Sequence, residues 1–415
     1  MEHVSSAVSL VAASAVSTHV DAVMAAEQVC EEIAAHPGLG SIDLAMAFVS
    51  GGHTSDLPQV AEYIRKTLAP GTFIGVPAEG VVSGASEFER RPAVSLFSAS
   101  LPGTSLHPFT YRRLPHAADN DPVALARVAE AVGARSDARA VFFFADPFSI
   151  PAASAVETIA ASGTVVPGLQ RLPVIGGMAS GGNAPGKNIL VLDDEVMRAG
   201  AIGVTVRGAV AVDTLVSQGC RPIGRPLVVT AGTRNVIRSL GGMTAVDALR
   251  EVVSSLSEQD KALLPRGVFV GRVINEYKDR FGRGDFLIRD VVGADENSGA
   301  IAIADLVHVG QTVQFHLRDA ATATEDLELL LVAQSLLGTP IGGLLFTCNG
   351  RGKRLFNTDS HDAATISKAF NPAGDTPFPL SGFFAAGEIG PIGDRSFVHG
   401  HTASLALFRQ LRPQL

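Results

Sequence analysis

The sequence predicts an α/β protein of two mixed-sheet domains with flanking helices, and three observations carry that prediction. Its 415 residues exceed one ordinary domain. Hydrophobic residues make up 46% and charged residues 18%, ample for sizeable cores and too apolar for a disordered chain. Short apolar runs ending in Gly or Asp alternate with amphipathic stretches, the α/β pattern.

Strands are predicted at Ile42 to Ser50, Arg139 to Ala145, Asn188 to Leu192 and Pro226 to Ala231, where apolar residues run together between turn formers. Others follow at Gly267 to Ile274, Asp285 to Val292, Thr312 to Leu317 and Ile341 to Cys348. Leu57 to Leu68 is a helix, because Leu57, Val60, Ala61, Ile64 and Leu68 share one face. Pro122 to Val132 is another, opened by Asp121 with Pro at its first position. Thr244 to Leu256 follows the same period. Glu325 to Leu337 is apolar nearly all round and is predicted to be buried. Ser217 to Pro226 is dense in Gly and Pro and marks the domain boundary, giving domains 1–216 (core about 42–210) and 217–415.

Composition excludes several functions. A net charge of −8 argues against a generic nucleic-acid surface. Three cysteines, Cys30, Cys220 and Cys348, with no CxxC spacing point to reduced thiols and away from a zinc ribbon. Ala7 to Val20 is small and apolar, but serines interrupt it and the first Lys or Arg is Arg65, so a cationic signal-peptide start is missing. No run reaches the roughly 20 apolar residues of a membrane span. A cytoplasmic protein with no membrane span and no cofactor is expected. Glycine is abundant (43 residues) and Trp absent, which favours close backbone approaches over aromatic platforms.

Gly181 to Asn188 nearly matches a phosphate-binding loop, but Asn188 stands where a hydroxyl is needed and a strand follows, so we discount it. His399-Gly400-His401 lacks a third metal ligand nearby and reads as a strand edge or turn. Gly-x-x-Ala-x-Gly occurs three times, at Gly75 to Gly80, Gly176 to Gly181 and Gly382 to Gly387, the last running on into Glu388. Such loops either rim a ligand with backbone N–H groups or make tight turns at strand ends. Glu79 and Glu388 would suit a ligand ammonium. Cys348-Asn349-Gly350-Arg351-Gly352-Lys353-Arg354 sets a thiol at a strand end beside three cations. Arg351 between glycines could hold a carboxylate bidentately; alternatively the motif is a small buried Cys and a basic turn. Asp146, after Val141 to Phe144, is a carboxylate at a strand's carboxyl end, either a ligand group or a turn cap.

Together these motifs resemble the FIST family, whose N-terminal and C-terminal modules come as a pair. In the first half the resemblance rests on Phe73-Ile74-Gly75, Glu79-Gly80, Phe144-Ala145-Asp146, Val174 to Gly177 and Gly203 to Gly208. In the second it rests on Gln218 to Gly224, Phe286 to Arg289, Gly310 to Phe315, Arg318 to Ala320, Cys348 to Gly352 and Gly382 to Gly390. The resemblance implies a sensory protein that binds a small molecule, with amino acids the ligands usually proposed, and a signalling partner. The expected ligand contacts are Gly75, Glu79, Gly80, Asp146, Gly176, Gly177, Ser180, Cys348, Gly350, Arg351, Gly352, Gly387 and Glu388. Arg351 is assigned the carboxylate, and Glu79 or Glu388 the ammonium. Two other readings stay open: a protein-interaction module like that of F-box relatives, and an enzyme with Cys348 as nucleophile and His399 or His401 as base.

Overall fold

In the computed structural model, residues 9–114, 121–371, 373 and 377–411 are described. The first strand, β1 (Val11–Ser17), lies in the stretch that mimics a signal peptide, with Ala12, Ala13, Ala15 and Ser17 buried. Asp21 then caps α1 (Ala22–Ala34), its carboxylate accepting from the N–H groups of Val23 and Met24. Next come β2 (Leu44–Ser50), α2 (Leu57–Leu68), β3 (Thr72–Ala78), β4 (Gly80–Ser83), β5 (Ser86–Glu89) and β6 (Ala93–Ser100). In α2 the faces are as the period requires: Leu57, Val60, Ala61 and Ile64 are buried, and Arg65 and Lys66 sit in the last turn.

The same order recurs. A second copy runs β7 (Thr104–Thr110), α3 (Pro122–Ala131), β8 (Ala138–Ala145), α4 (Ala152–Ser162), β9 (Val174–Met178), β10 (Leu190–Leu192), β11 (Glu195–Met197) and β12 (Ala201–Gly208). A third opens with β13 (Val210–Gln218), and here the chain is interrupted by a separate unit.

That second unit comprises Ser217–Leu329 and His399–Thr402. Its strands are β14 (Cys220–Thr233), β15 (Val236–Leu240), β16 (Met243–Thr244), β17 (Val268–Val273), β18 (Phe286–Asp295), β19 (Ala300–Ile303) and β20 (Thr312–Arg318), with helices α5 (Ala245–Ser254) and α6 (Glu258–Lys261). The sheet order is β14-β20-β17-β18-β19-β15-β16, and β14 also pairs with β15, so the sheet closes on itself. Ile223, Val229, Ile237, Val270, Ile301 and Phe315 fill its core. The Gly- and Pro-rich stretch Ser217 to Pro226, taken as the domain boundary, is mostly strand. A register shift between Ile223 and Leu227 accommodates Gly224 and Pro226.

The chain rejoins the first unit from Leu330. That point falls within α7 (Ala320–Ser335), and the elements after it are β21 (Gly342–Cys348), α8 (Lys353–Phe356), α9 (His361–Phe370), β22 (Leu380–Ala385), β23 (Glu388–Ile392), β24 (Arg395–His399) and β25 (Thr402–Gln410). The helix expected to be buried all round is not: Ala323, Leu327 and Leu331 are buried, but Leu329 and Val332 are 61% and 62% exposed. An all-apolar run leaves the buried face to be chosen by packing.

The first unit's three sheets share one plan. Their orders are β1-β6-β2-β3-β10-β11, β7-β12-β8-β9-β23-β24 and β13-β25-β21-β22-β4-β5. Each has a central parallel pair, β2 with β3, β8 with β9 and β21 with β22. Each central pair's second strand passes its chain to a neighbouring sheet, so β4 joins β22, β23 joins β9 and β10 joins β3. The exchange is cyclic. Phe48, Phe144 and Phe346 occupy equivalent register positions in the three pairs, and their rings meet with centroids 6.2, 6.3 and 5.5 Å apart. The core of this unit is built around that triangle.

Candidate functional site

The three repeated glycine loops are the turns at which the sheets exchange strands, and they bind one another. Ser180 Oγ accepts from Glu79 N–H at 2.9 Å and donates to the Phe384 carbonyl, linking all three loops. Ser180 and Gly181 donate their N–H groups to Pro77 O, each at 3.2 Å, Met178 N–H reaches Gly387 O at 2.8 Å, and Ala386 N–H reaches Met178 O at 3.0 Å. Backbone donors placed by the sequence on a ligand rim therefore serve the junction. Gly75, Gly176 and Gly177 lie within the sheets, paired to Ala47, Phe143 and Phe144. Glu388 is fully buried, in register with Gly177.

Strand register explains where Asp146 and Cys348 stand. Each lies two residues beyond the Phe of its central strand, and Ser50 is the third member of the set. Ser50 Oγ donates to Arg91 O at 2.8 Å. Asp146 is buried; Oδ1 accepts from Asn188 Nδ2 at 2.9 Å, and Oδ2 has no hydrogen-bond partner among the described residues. Asn188, in the discounted phosphate-loop match, in turn accepts from Gly182 N–H at 2.7 Å. Cys348 is half-buried, with Gly350 N–H 3.4 Å from its sulfur. Of the two histidines considered as bases, His399 is buried and His401 Nε2 lies 3.0 Å from Asp290 Oδ1.

Arg351 differs most from expectation. Its side chain is fully buried, and Nε and Nη2 fork onto Asp362 Oδ2 and Oδ1 at 2.7 and 2.9 Å. Thr347 Oγ1 and His361 Nδ1 complete the carboxylate's partners at 3.1 Å each. Burial pushes the Asp362 carboxyl up, but the Arg351 guanidinium and His361 outweigh it and hold it well below the ordinary value. The bidentate hold anticipated from the sequence exists, with a protein carboxylate in place of a ligand's.

Beside this pair lies a cleft of about 610 Å³, lined by Ser86 to Arg91 of the β5 hairpin and by Lys353, Arg354, Asp359 and Ser360. That size suits a small ligand. Arg90, Arg91, Lys353 and Arg354 are exposed around it. Glu79 stands at the border, 3.3 Å from Arg90 Nε and 2.9 Å from Arg354 Nη2. Gly352 has a φ of +58°, and a Cβ there would lie 2.5 Å from Glu89 Oε1, which accepts from Lys353 N–H at 2.8 Å. The glycine thus lets the Cys348 to Gly352 turn approach β5. A second cavity of about 430 Å³ runs along Tyr111, Val128, Ile150 and Ile159, and Arg112 is its only charged lining residue among the described ones.

Glu87 forms part of the cleft's lining and was not singled out in the sequence. It is 7% exposed; Oε1 accepts from Ala363 N–H at 3.0 Å, and Oε2 has no hydrogen-bond partner among the described residues. Burial, reinforced by the Asp362 charge, raises its carboxyl from 4.5 to about 8. Between those values the folded state keeps a proton that the unfolded chain has released, so this group's stabilisation fades as pH rises through the window. Glu87→Gln is therefore expected to melt a few degrees (about 3–6 °C) above the wild type at pH 8.5 and to converge with it near pH 5. Parallel melting curves at both pH values would contradict the assignment. The charge-dense run Glu87-Phe88-Glu89-Arg90-Arg91 was the available signal.

Comparison with known proteins comes to the same place as the motifs. The family model described as FIST N domain matches residues 43–243, and that described as FIST C domain matches 245–391. The uncharacterized protein Rv0628c of Mycobacterium tuberculosis is 39% identical over 389 residues, covering 93% of this chain and 95% of that protein. The uncharacterized protein Mb0898c of Mycobacterium bovis is 39% identical over 392 residues, with the same coverage. Among solved structures, a cyanuric acid hydrolase from A. caulinodans aligns with a TM-score of 0.30 and 11% identity, over 97% of this chain and 100% of that one.

Proposed function

Because the chain belongs to the FIST family, whose domains are sensory and ligand-binding, we propose that it is a cytoplasmic sensor of an amino acid or a closely related small polar metabolite, bound in the cleft beside Glu79 and Gly352. One observation supports this reading above the rest. The cleft is of small-ligand size and carries both signs of charge, with Arg90, Arg91, Lys353 and Arg354 beside Glu89 and Asp359. A zwitterion needs both. Arg91 and Lys353 are assigned the carboxylate, and Glu89 or Asp359 the ammonium. Gly350, Arg351 and Gly352 shape the wall, and the glycine loops with Ser180, Gly387 and Glu388 hold it in place. Asp146 and Cys348 belong to the supporting junction in this proposal, and the signal passes to a separate protein. No helix among the described residues is long and apolar enough to cross a membrane.

The test is thermal-shift screening of the amino acids, followed by calorimetry of any hit. Arg91→Ala is the informative variant. Its guanidinium is exposed and lies over the Phe88 ring at 4.6 Å. It is expected to weaken binding about tenfold, the value of one partly exposed charge-assisted hydrogen bond. A full panel without a shift, or a hit whose affinity ignores Arg91→Ala, would sink the reading.

A further inference from the structure

The ion pairs around the cleft divide its charges unequally. Lys353 Nζ and Asp359 Oδ1 lie 3.2 Å apart and answer each other. Arg91 rests on the Phe88 ring, its guanidinium carbon 4.6 Å from the centroid, and has no carboxylate partner among the described residues. Glu89 is its counterpart: Oε1 accepts from the Lys353 N–H at 2.8 Å, and no side-chain cation pairs with it among the described residues. Arg90 and Arg354 share a single carboxylate oxygen. Arg90 Nε lies 3.3 Å and Arg354 Nη2 2.9 Å from Glu79 Oε1. Arg354 Nη1 also donates to the Asn349 carbonyl at 3.0 Å, whereas the two terminal nitrogens of Arg90 have no hydrogen-bond partner among the described residues. The backbone fixes Arg90 at this rim: its φ is +52°, and its N–H donates to the Glu79 carbonyl at 3.1 Å.

Two guanidiniums on one oxygen leave a positive charge over, and Arg91 with Glu89 leaves one charge of each sign. Glu87 does not cancel the surplus at pH 7, because burial keeps its carboxyl protonated up to about 8. We propose that the ligand of this cleft is an acidic amino acid, with its α-carboxylate on Arg91, its ammonium on Glu89 and its side-chain carboxylate on Arg90 beside Arg354. The proposal rests on the cleft being the ligand site and names the class of amino acid it takes. A neutral amino acid satisfies Arg91 and Glu89 but leaves the Arg90 fork empty. A second carboxylate fills that fork with charge-assisted hydrogen bonds. A basic amino acid adds a cation where cations are already in surplus. Because these side chains are partly solvated, the preference for the acid is of the order of tenfold and not thousands.

The experiment is calorimetry on the full-length protein at pH 7 and low salt, with L-glutamate and L-aspartate each set against its amide of the same shape, L-glutamine and L-asparagine. The wild type should favour one acid over its amide by about tenfold, the value of one charge-assisted hydrogen bond at a partly exposed site. Arg90→Asn removes the fork and keeps a residue that tolerates the left-handed backbone, so it should cut the preference to about threefold or less. Glu79→Gln removes the carboxylate that competes for both guanidiniums, so it should raise the preference by about threefold. Arg91→Ala should weaken acid and amide alike. If none of the four probes and no other amino acid binds the wild type, the cleft reading falls and this inference with it. If amino acids bind and depend on Arg91, but amides bind as well as acids, the cleft stands and the acidic class is overturned. A preference that survives Arg90→Asn, or that Glu79→Gln lowers or leaves unchanged, overturns it too.

Discussion

Replacing Asp362 with alanine is expected to destabilise the protein by about 3–5 kcal/mol and to lower its melting temperature by roughly 10 °C, because it strands a fully buried guanidinium. Arg351 has no exposed surface, and two of its nitrogens are held by that one carboxylate. Phe356 offers its ring face, with the guanidinium carbon 5.2 Å from the centroid, which is no substitute for a carboxylate in the interior. Removing both partners should hurt less than removing one. Arg351→Met with Asp362→Leu leaves neither charge uncompensated, and it should recover most of the loss. The pair also opposes Glu87 in sign: the carboxyl of Asp362 is depressed, so its stabilisation is present above the ordinary carboxylate range and is lost only as pH falls well below it. Denaturant midpoints for the single and double variants check this. A single variant as stable as wild type would mean that the charge is not buried as described.

Gly382→Ala and Gly176→Ala are expected to prevent accumulation of folded protein, or to cost more than about 4 kcal/mol. At both positions φ is near +150°, and a Cβ would overlap the carbonyl oxygen of the neighbouring central strand, Leu345 O for Gly382 and Phe143 O for Gly176. Those strands cannot move apart without breaking the parallel pair that anchors each sheet. Gly75 holds the equivalent place in the first repeat but has room: the nearest atoms to its Cβ are side-chain carbons of Leu57 and Val191 at 3.1 and 3.2 Å. Gly75→Ala should therefore cost only about 1–3 kcal/mol by overpacking. Soluble yield and melting temperature of the three variants distinguish the cases. Equal damage at all three would show that the strand pairs do not approach as closely as the backbone places them.

Much of the fold was legible along the chain. The apolar runs at Leu44 to Ser50, Ala138 to Ala145 and Gly342 to Cys348 announced the three central strands, since continuous apolar character is what a strand buried on both faces requires. The thrice-repeated glycine motif marked the three strand exchanges. Strands such as β1 and β14 were harder, because small residues, serines and prolines obscure the alternation. The site was half legible. Glu79 and the Cys348 to Gly352 turn border the cleft, but Glu87 and Arg91, on the β5 hairpin, meet the Lys353 to Asp362 side only in the fold.

The sequence settled which segments form strands and helices, that one loop recurs three times, and that the chain is of the FIST family. These are local properties, written in side-chain period and in residues that tolerate tight backbone. Folding settled which polar group meets which. Arg351 looked like a ligand's carboxylate holder, and Asp362, eleven residues on, reaches it first because α9 packs its first turn against the strand end. The N–H groups of the glycine loops looked available, and the cyclic exchange of strands gives them one another as partners. A buried donor or charge takes the nearest complement that long-range packing supplies, and pairing over such distances leaves no mark on the spacing of residues.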